Sequence, residues 1–393
     1  MGMRTACAYQ LDMAKKLEKL RMSPKKPFDP GKPYNSLPLV PSAQVLETPA
    51  VLRKCIAAGR ALAALQQAAH LIPNQDILIN SIPLREATDS SAIENILTTN
   101  DNLFRHANVD PDSADDATKE TLRYRTALMQ GFKDIQTQPL STRTAVTICR
   151  TIKNIDIDIR TGSGTALIHQ PSGKVIYTPP EGETILRDKL SALERFLHAQ
   201  DGIDPLIRMA AAHYQFEAIH PFIDGNGRTG RILNTLVLIE NGLLSLPILY
   251  LSRYIQEHRT GYHERLLAVT THGAWEPWLL FMLSAVKETS IWTTGKIHAI
   301  RELMDATVTH VKTASPKIYS QELVEIIFVQ PYSRIGDLVA AGLANRVTAS
   351  KYLKELALKG VLEERKEGRE NLFINIRLLD LLVTDENRFK PFA

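Results

Sequence analysis

The 393-residue sequence predicts a mainly α protein, and three observations predict it. Apolar residues recur at helical spacing from Thr48 to about residue 300. Only one stretch in that span, TALIHQPSGKVIYTPPEGE, reads as β: two short runs around Pro171-Ser172-Gly173 that form a hairpin. From Gln321 the texture changes to three short amphipathic segments and a second β-rich pair around Gly368. The expected architecture is a helical core with a small β-hairpin flap, plus a separate C-terminal unit.

Composition narrows the function classes. A hydrophobic content of 44% suits two or three domains at this length. The net charge of +4 is too small to imply a global field for a polyanion. Cys7, Cys55 and Cys149 are odd in number and lack C-x-x-C spacing, which argues against a disulfide frame or zinc ribbon and fits a reducing cytoplasm. MGMRTACAYQLDMAKKLEKL is a poor secretory signal because charges interrupt it, and Ala6 stands where myristoylation wants Ser or Thr. LVLIENGLLSLPILYL carries Glu240, Asn241, Gly242 and Pro247, so no membrane span is expected.

Along the chain, residues 1–45 read as an extended arm rich in proline and lysine. Residues 46–115 form a helical N-terminal subdomain, with Leu52, Cys55, Ile56, Ala63 and Leu65 in helical spacing and an acidic linker over 109–116. Residues 116–300 make the core, in which Ser141 stands as the N-cap of STRTAVTICRTIKNI. Its tryptophans, and the aromatics among residues 250–267, read as packing. Residues 301–320 read as a connecting helix ending near Pro316.

The order over 321–393 is helix, helix, helix, hairpin, that of a winged helix, with NRVTASKYLKELALKGVLEE at its recognition helix and following strand. DNA is one candidate partner. The unit has 11 Lys and Arg against 11 Asp and Glu, and only Arg346, Lys351, Lys354 and Lys359 against Glu355 make that helix locally basic. Protein contact or homodimerisation is as well supported.

The chemistry is concentrated in HPFIDGNGRTGR, residues 220–231. Pro221 pushes His220 out of the helical region, so a helix running up to Ile219 stops there. Asp224, Gly225, Asn226 and Gly227 make a turn, and RTGRILNTLVLIENG resumes as helix with Gly242 as its stop. Arg228 and Arg231 share a face at the positive end of that helix, an arrangement that asks for an anion. A phosphate chain would satisfy the loop amides, the helix end and both guanidiniums. Asp224 offers the oxygen that Mg2+ uses beside phosphates, and His220 is placed as a general base toward a hydroxyl.

Rival readings fail on context. Gly225 to Gly230 spell G-x-G-x-x-G, but a helix rather than a strand precedes them. His213, Glu217 and His220 could offer a zinc face, yet the HExxH order is lacking and Pro221 breaks the geometry. A purely structural helix–turn–helix explains the glycines but not the converging Arg, Asp and His.

The stretch resembles the signature of the Fic family, HPFx(D/E)GNGRxxR, at every specified position, and the resemblance covers roughly residues 35–300. It implies a helical fold and transfer of AMP from ATP to a Ser, Thr or Tyr hydroxyl of a target protein. It further implies ATP and Mg2+ as cofactors, His220 as base and Asp224 as metal ligand. Gly225, Asn226, Gly227, Arg228, Gly230 and Arg231 would bind the nucleotide. Related Fic proteins move other phosphate-linked groups or remove AMP. The non-enzymatic alternative is a DNA-binding regulator whose site senses nucleotide.

Two further stretches carry the resemblance. Ser91-Ala92-Ile93-Glu94 is a capping box that would start a helix before Ile93, Ile96 and Leu97. The segment Ser90 to Asn95 also resembles the family's inhibitory pattern (S/T)xxxE(G/N), which implies that Glu94 pairs with Arg231 and competes with the γ-phosphate for one guanidinium. The hairpin resembles the family's target-docking flap, with Thr165, Ile168, Val175, Tyr177 and Thr178 as docking candidates.

Overall fold

The computed structural model describes residues 28–107, 114–169, 173–367 and 370–392. The first 27 residues of the arm with Cys7, residues 109–113 of the linker, and the tips at Pro171-Ser172 and Gly368 lie outside the described residues.

Helix α1 (Ala43–Leu46) leads into α2 (Pro49–Ala69). Thr48 caps α2 by accepting the Val51 amide, and Pro49 sits where a helix lacks a use for its N–H. The buried face of α2 runs through Val51, Cys55, Ala58, Leu62 and Leu65. Leu52, Ile56 and Ala63 face outward, a correction to the expected stripe. The helix is apolar on adjoining faces, so spacing alone does not say which one is covered.

α3 (Asp76–Ile79), α4 (Ile82–Ile93) and α5 (Asn100–His106) follow, then α6 (Asp116–Asp134) and α7 (Thr142–Lys153). Glu94 is the C-cap of α4, and Asn95 turns left-handed at φ 62°. Ser91 to Glu94 therefore end a helix and do not start one, which overturns the capping-box reading. Pro83 in the first turn fixes the start far upstream, and a left-handed Asn is a usual helix exit. Ser141 is the N-cap of α7, as expected, its amide donating to Thr144 Oγ1 at 3.2 Å.

The flap is an antiparallel pair, β1 (Leu167–His169) and β2 (Lys174–Tyr177), with Ile168 opposite Val175. α8 (Glu183–Leu197), α9 (Pro205–Ile219) and α10 (Asn226–Glu240) then pass through the middle of the molecule. α9 and α10 are buried on nearly every side, the pattern of central helices.

α11 (Leu251–Glu257) and α12 (Arg259–His272) lead to α13 (Trp275–Ala314), one helix of 40 residues lying along α2. No separate connecting helix exists over 301–320, because no proline falls between Pro277 and Pro316 to divide α13. Trp278 is fully buried and donates to Ala210 O at 2.8 Å, whereas Trp275 and Trp292 are half-buried.

The C-terminal unit contains α14 (Gln321–Val329), β3 (Tyr332–Ser333), α15 (Ile335–Ala340), α16 (Arg346–Leu358), β4 (Glu363–Glu367), β5 (Glu370–Ile374) and α17 (Ile376–Val383). The three helices and the hairpin come in the expected order. β3, which pairs with β5 to give the sheet order β3-β5-β4, and α17 are additions that the sequence reading missed. Among the described residues, no helix is long and apolar enough to cross a membrane.

Gly131 marks the crossing of α6 with α7 and α10. A Cβ there would meet Leu236 Cδ1 at 2.7 Å and Ile148 Cδ1 at 3.4 Å. Gly131→Val is expected to lower stability by about 1–3 kcal/mol through overpacking, despite removing a helix-weakening glycine. Urea unfolding checks this, and unchanged or raised stability would contradict it.

Candidate functional site

The site forms where α9 ends and α10 begins. Asp204 caps α9 by accepting the Leu206 amide at 2.8 Å, and the helix closes on His220, whose amide donates to Phe216 O at 3.0 Å. His220 lies at φ 51°, ψ 59°. It leaves the helical region, as a residue before proline should, but through a left-handed turn. Arg160 pins that turn, its Nε donating to His220 O at 2.8 Å and its amide to Pro221 O at 2.9 Å. Arg160 escaped the sequence reading because a lone arginine in a loop carries no spacing signal.

Asn226 braces the loop. Its Oδ1 accepts the Phe222 amide at 2.9 Å and its Nδ2 donates to Phe222 O at 2.8 Å. The carboxamide thus braces the loop through Oδ1 and one of its two Nδ2 hydrogens. Gly225, at φ 86°, is the N-cap, and α10 starts at Asn226, earlier than the sequence suggested. Arg228 is consequently in the first turn and Arg231 in the second. Gly230 faces the core rather than the loop: a Cβ there would lie 2.6 Å from Glu217 Oε1. The glycine thereby admits Glu217 and His213 to that face of the helix.

Arg231 is only 1% exposed and is paired within the protein through Nε and Nη2. Its Nη2 donates to Glu94 Oε1 and to Ser90 O, each at 2.8 Å, and its Nε donates to Ser90 Oγ at 2.8 Å. Ser90 and Glu94, four residues apart, project from one face of the last turn of α4. The Glu94 carboxylate also lies over Gly227, where an added Cβ would fall 2.2 Å from Oε1. Burial opposes the charge on Glu94, but Arg231, then Arg228 and His263, hold its carboxyl below the ordinary range. An anion therefore sits at the N-terminal end of α10, and at 38% exposure it can be reached from outside.

Arg228, equally buried, donates through Nη1 to Glu120 Oε1 on α6 at 2.7 Å. Lys153 at the end of α7 lies 2.8 Å from the same Glu120 oxygen and 2.6 Å from Asp224 Oδ2. Glu120 and Lys153 were also missed, since they come from helices far upstream with nothing in their local sequence to mark them. Among the described residues, no cluster of three His, Cys, Asp or Glu could hold a metal. The Asp224 carboxylate, exposed though paired with Lys153, is the type of ligand that Mg2+ uses when phosphate and water complete its shell.

His213 packs parallel to Trp278 at 6.0 Å between centroids and pairs through Nε2 with Tyr262 OH at 2.8 Å, a core role for both. Beneath Arg231, Glu86 is buried and accepts from Tyr124 OH at 3.0 Å and the Ser252 amide at 2.8 Å; burial raises its pKa to about 7. Burial, then the charge of Arg160, pushes His220 down to about 4. The imidazole is thus neutral near pH 7, and among the described residues its Nδ1 has no protein partner.

The flap divides into two groups. Tyr177 donates its hydroxyl to Ala218 O and Thr178 donates to Pro30 O, each at 2.6 Å, and both side chains are buried. They anchor the flap to α9 and the arm, which removes them from the docking candidates. Thr165 and Val175 are half-buried and Ile168 is exposed, so these three remain accessible. A cavity of about 400 Å³ lies under Tyr34 and Trp275, and one of about 350 Å³ beside Tyr254 and Phe281, lined also by Arg259, which donates to Asn95 Oδ1 at 3.1 Å.

Comparison with known proteins adds three matches. Residues 52–133 match the Fic/DOC family N-terminal model, 127–238 the Fic/DOC family, and 303–378 the C-terminal domain of protein adenylyltransferase SoFic-like. A probable protein adenylyltransferase of Aquifex aeolicus is 28% identical over 190 residues, covering 48% of this chain and 55% of that protein. Protein adenylyltransferase Fic of Culex quinquefasciatus is 31% identical over 123 residues, 30% of this chain and 23% of that one. The chain thus spans about half or less of these relatives' length. A crystal structure of a Fic family protein from Desulfovibrio desulfuricans shares the fold at a TM-score of 0.53 and 19% identity, covering 84% of this chain and 96% of that one.

Because the folded state refuses a proton on His220 that the unfolded chain accepts, this residue makes stability fall as pH drops from 6.5 toward about 4. The His220 ring signal in NMR, assigned by its loss in His220→Ala, is expected to stay in the neutral form down to pH 5. Titration near 6.5 would contradict the burial of the imidazole.

Proposed function

Because the chain belongs to the Fic/DOC family, we propose that it transfers AMP from ATP to a Ser, Thr or Tyr hydroxyl of a target protein, aided by Mg2+ and restrained by Glu94. The observation that carries this reading is the Glu94 carboxylate seated on Arg231 over Gly227. A guanidinium at a helix N-terminus that accepts a carboxylate will accept a phosphate oxygen, and the two anions compete for it. The relatives' names as adenylyltransferases agree with this chemistry.

Arg231, once released by Glu94, and the amides of the glycine loop bind the phosphate chain. Asp224 would hold Mg2+, whose charge offsets that of the phosphates. His220 takes the proton from the target hydroxyl as that oxygen bonds to the α-phosphorus. The bond from phosphorus to the β-phosphate bridge breaks, and pyrophosphate leaves with the electron pair. Arg160, by holding the His220 backbone, keeps the imidazole at the mouth of the loop.

The accessible flap residues Thr165, Ile168 and Val175 offer an edge for an extended target segment. In this reading Ser90 and Glu94 close the N-terminal subdomain over a catalytic core that runs from residue 116 to the end of α13. The C-terminal unit is a winged helix whose balanced charge gives DNA phosphates little to hold and favours a protein partner or a second copy. The buried thiols of Cys55 and Cys149 suit the cytoplasm.

Incubation with ATP labelled at the α-phosphorus tests the proposal. Glu94→Gly is expected to incorporate more label into protein than the unaltered chain. His220→Ala, made in the Glu94→Gly background, should lower incorporation by about 10²–10⁴-fold, the usual contribution of a general base. Equal or lower labelling by Glu94→Gly would end the restraint reading. Bound ATP with no labelled protein in any variant would leave a nucleotide sensor in place of an enzyme.

A further inference from the structure

Arg228, Glu120, Lys153 and Asp224 form a closed ring of alternating charge. Lys153 Nζ lies 2.8 Å from Glu120 Oε1 and 2.6 Å from Asp224 Oδ2. Arg228 Nη1 lies 2.7 Å from Glu120 Oε1, and its Nη2 stands 3.9 Å from Asp224 Oδ1. One oxygen of Glu120 therefore receives both cations. The members also differ in what a ligand can reach: Arg228 is 1% exposed and Glu120 19%, whereas Asp224 is 61% exposed. The same Asp224 carboxylate accepts the Gly225 amide at 2.5 Å, and its backbone carbonyl accepts from Cys149 Sγ at 3.3 Å.

Resting on the reading that this loop takes nucleotide, we propose that Glu120 is a positioning residue that holds Arg228 off Asp224 and shares Lys153 with it, and so eases the access of Mg2+ to the Asp224 carboxylate. The two cations share two carboxylates: Glu120 takes the larger part of Arg228, and Lys153 bridges both carboxylates. Without the charge on Glu120, both cations face Asp224 alone. Arg228 closes on it, Lys153 is left with no second carboxylate, and both compete with an incoming divalent ion. The loop simultaneously gains one unit of net positive charge, which favours a phosphate chain that arrives without metal. Metal uptake and metal-free nucleotide binding should therefore move in opposite directions. A merely structural defect would weaken both.

The test uses the full chain. Calorimetry measures ATP affinity in EDTA, and thermal shift at saturating ATP measures the Mg2+ concentration that gives half of the metal-dependent rise in melting temperature. Glu120→Gln is expected to bind metal-free ATP about tenfold tighter and to need about tenfold more Mg2+, the scale of one charge acting across a few ångströms near solvent. Glu120→Asp, which keeps the charge, should lie close to the unaltered chain in both. Lys153→Met, which removes a cation and leaves Glu120 in place, should give the mirror image: weaker metal-free ATP binding and a lower Mg2+ requirement. It also decides the matter if Glu120→Gln fails to fold.

Parallel losses in both measurements, or no change in either, would overturn the role given to Glu120 while leaving the nucleotide site intact. Failure of the unaltered chain to bind ATP with or without Mg2+ would remove the site itself, and this inference with it.

Discussion

The pairing of Glu94 with Arg231 is the constraint around which the site is arranged. A guanidinium buried to 1% exposure at the positive end of a helix is costly to leave unpaired, by several kcal/mol. An anion must accompany it, and here the chain provides its own. Several local choices follow from that need. α4 has to end at Glu94, Asn95 has to turn left-handed, and position 227 has no room for a side chain. Ser90 completes the fork with its hydroxyl and its carbonyl. Each residue serves one purpose: presenting a carboxylate oxygen to Arg231 at the start of α10.

The helix that carries Glu94 is itself held from several sides. Glu86 accepts from Tyr124 on α6 and from Ser252 at the start of α11, and Asp89 accepts from the Tyr250 hydroxyl. The C-terminal unit adds its own contacts. Arg85 Nη1 of α4 donates to Val383 O at 3.1 Å, the Tyr332 hydroxyl donates to Asp101 of α5, and Arg334 donates to Arg105 O at 3.1 Å. The fully buried Lys296 of α13 donates to Thr384 O at 2.7 Å and Glu386 O at 2.6 Å, fixing the chain after α17. Any large displacement of α4 has to break contacts with both the helical core and the C-terminal unit.

How much of this was legible in the sequence depended on how local the signal was. The loop from His220 to Arg231 was readable because its parts are contiguous and each type is demanded by the turn or by the helix end. The Ser90–Glu94 segment was readable only beside that motif, since its own pattern fits either end of a helix and Pro83, eleven residues before Glu94, decides between them. Glu120, Lys153, Arg160 and Glu86 were invisible for the opposite reason: their partners are tens of residues away and only the packing of α4, α6 and α7 brings them in. Asn226 and Gly230 sit inside the motif, yet one holds the loop and the other admits Glu217 and His213. Tyr177 and Thr178 alternate with exposed flap positions but are claimed by α9 and the arm. A motif names the residues a site needs without saying which of them touch the ligand.

The most direct measurement is a crystal structure of the Glu94→Gly protein with a non-hydrolysable ATP analogue and Mg2+. A single anion seat shared by carboxylate and phosphate places a terminal phosphate oxygen within hydrogen-bond reach of Arg231 Nη2, where Glu94 Oε1 now lies at 2.8 Å. It also places the α-phosphorus on the His220 side of the loop. A nucleotide bound in another cavity, or bound at this loop with Arg231 turned from its phosphates, would contradict the account.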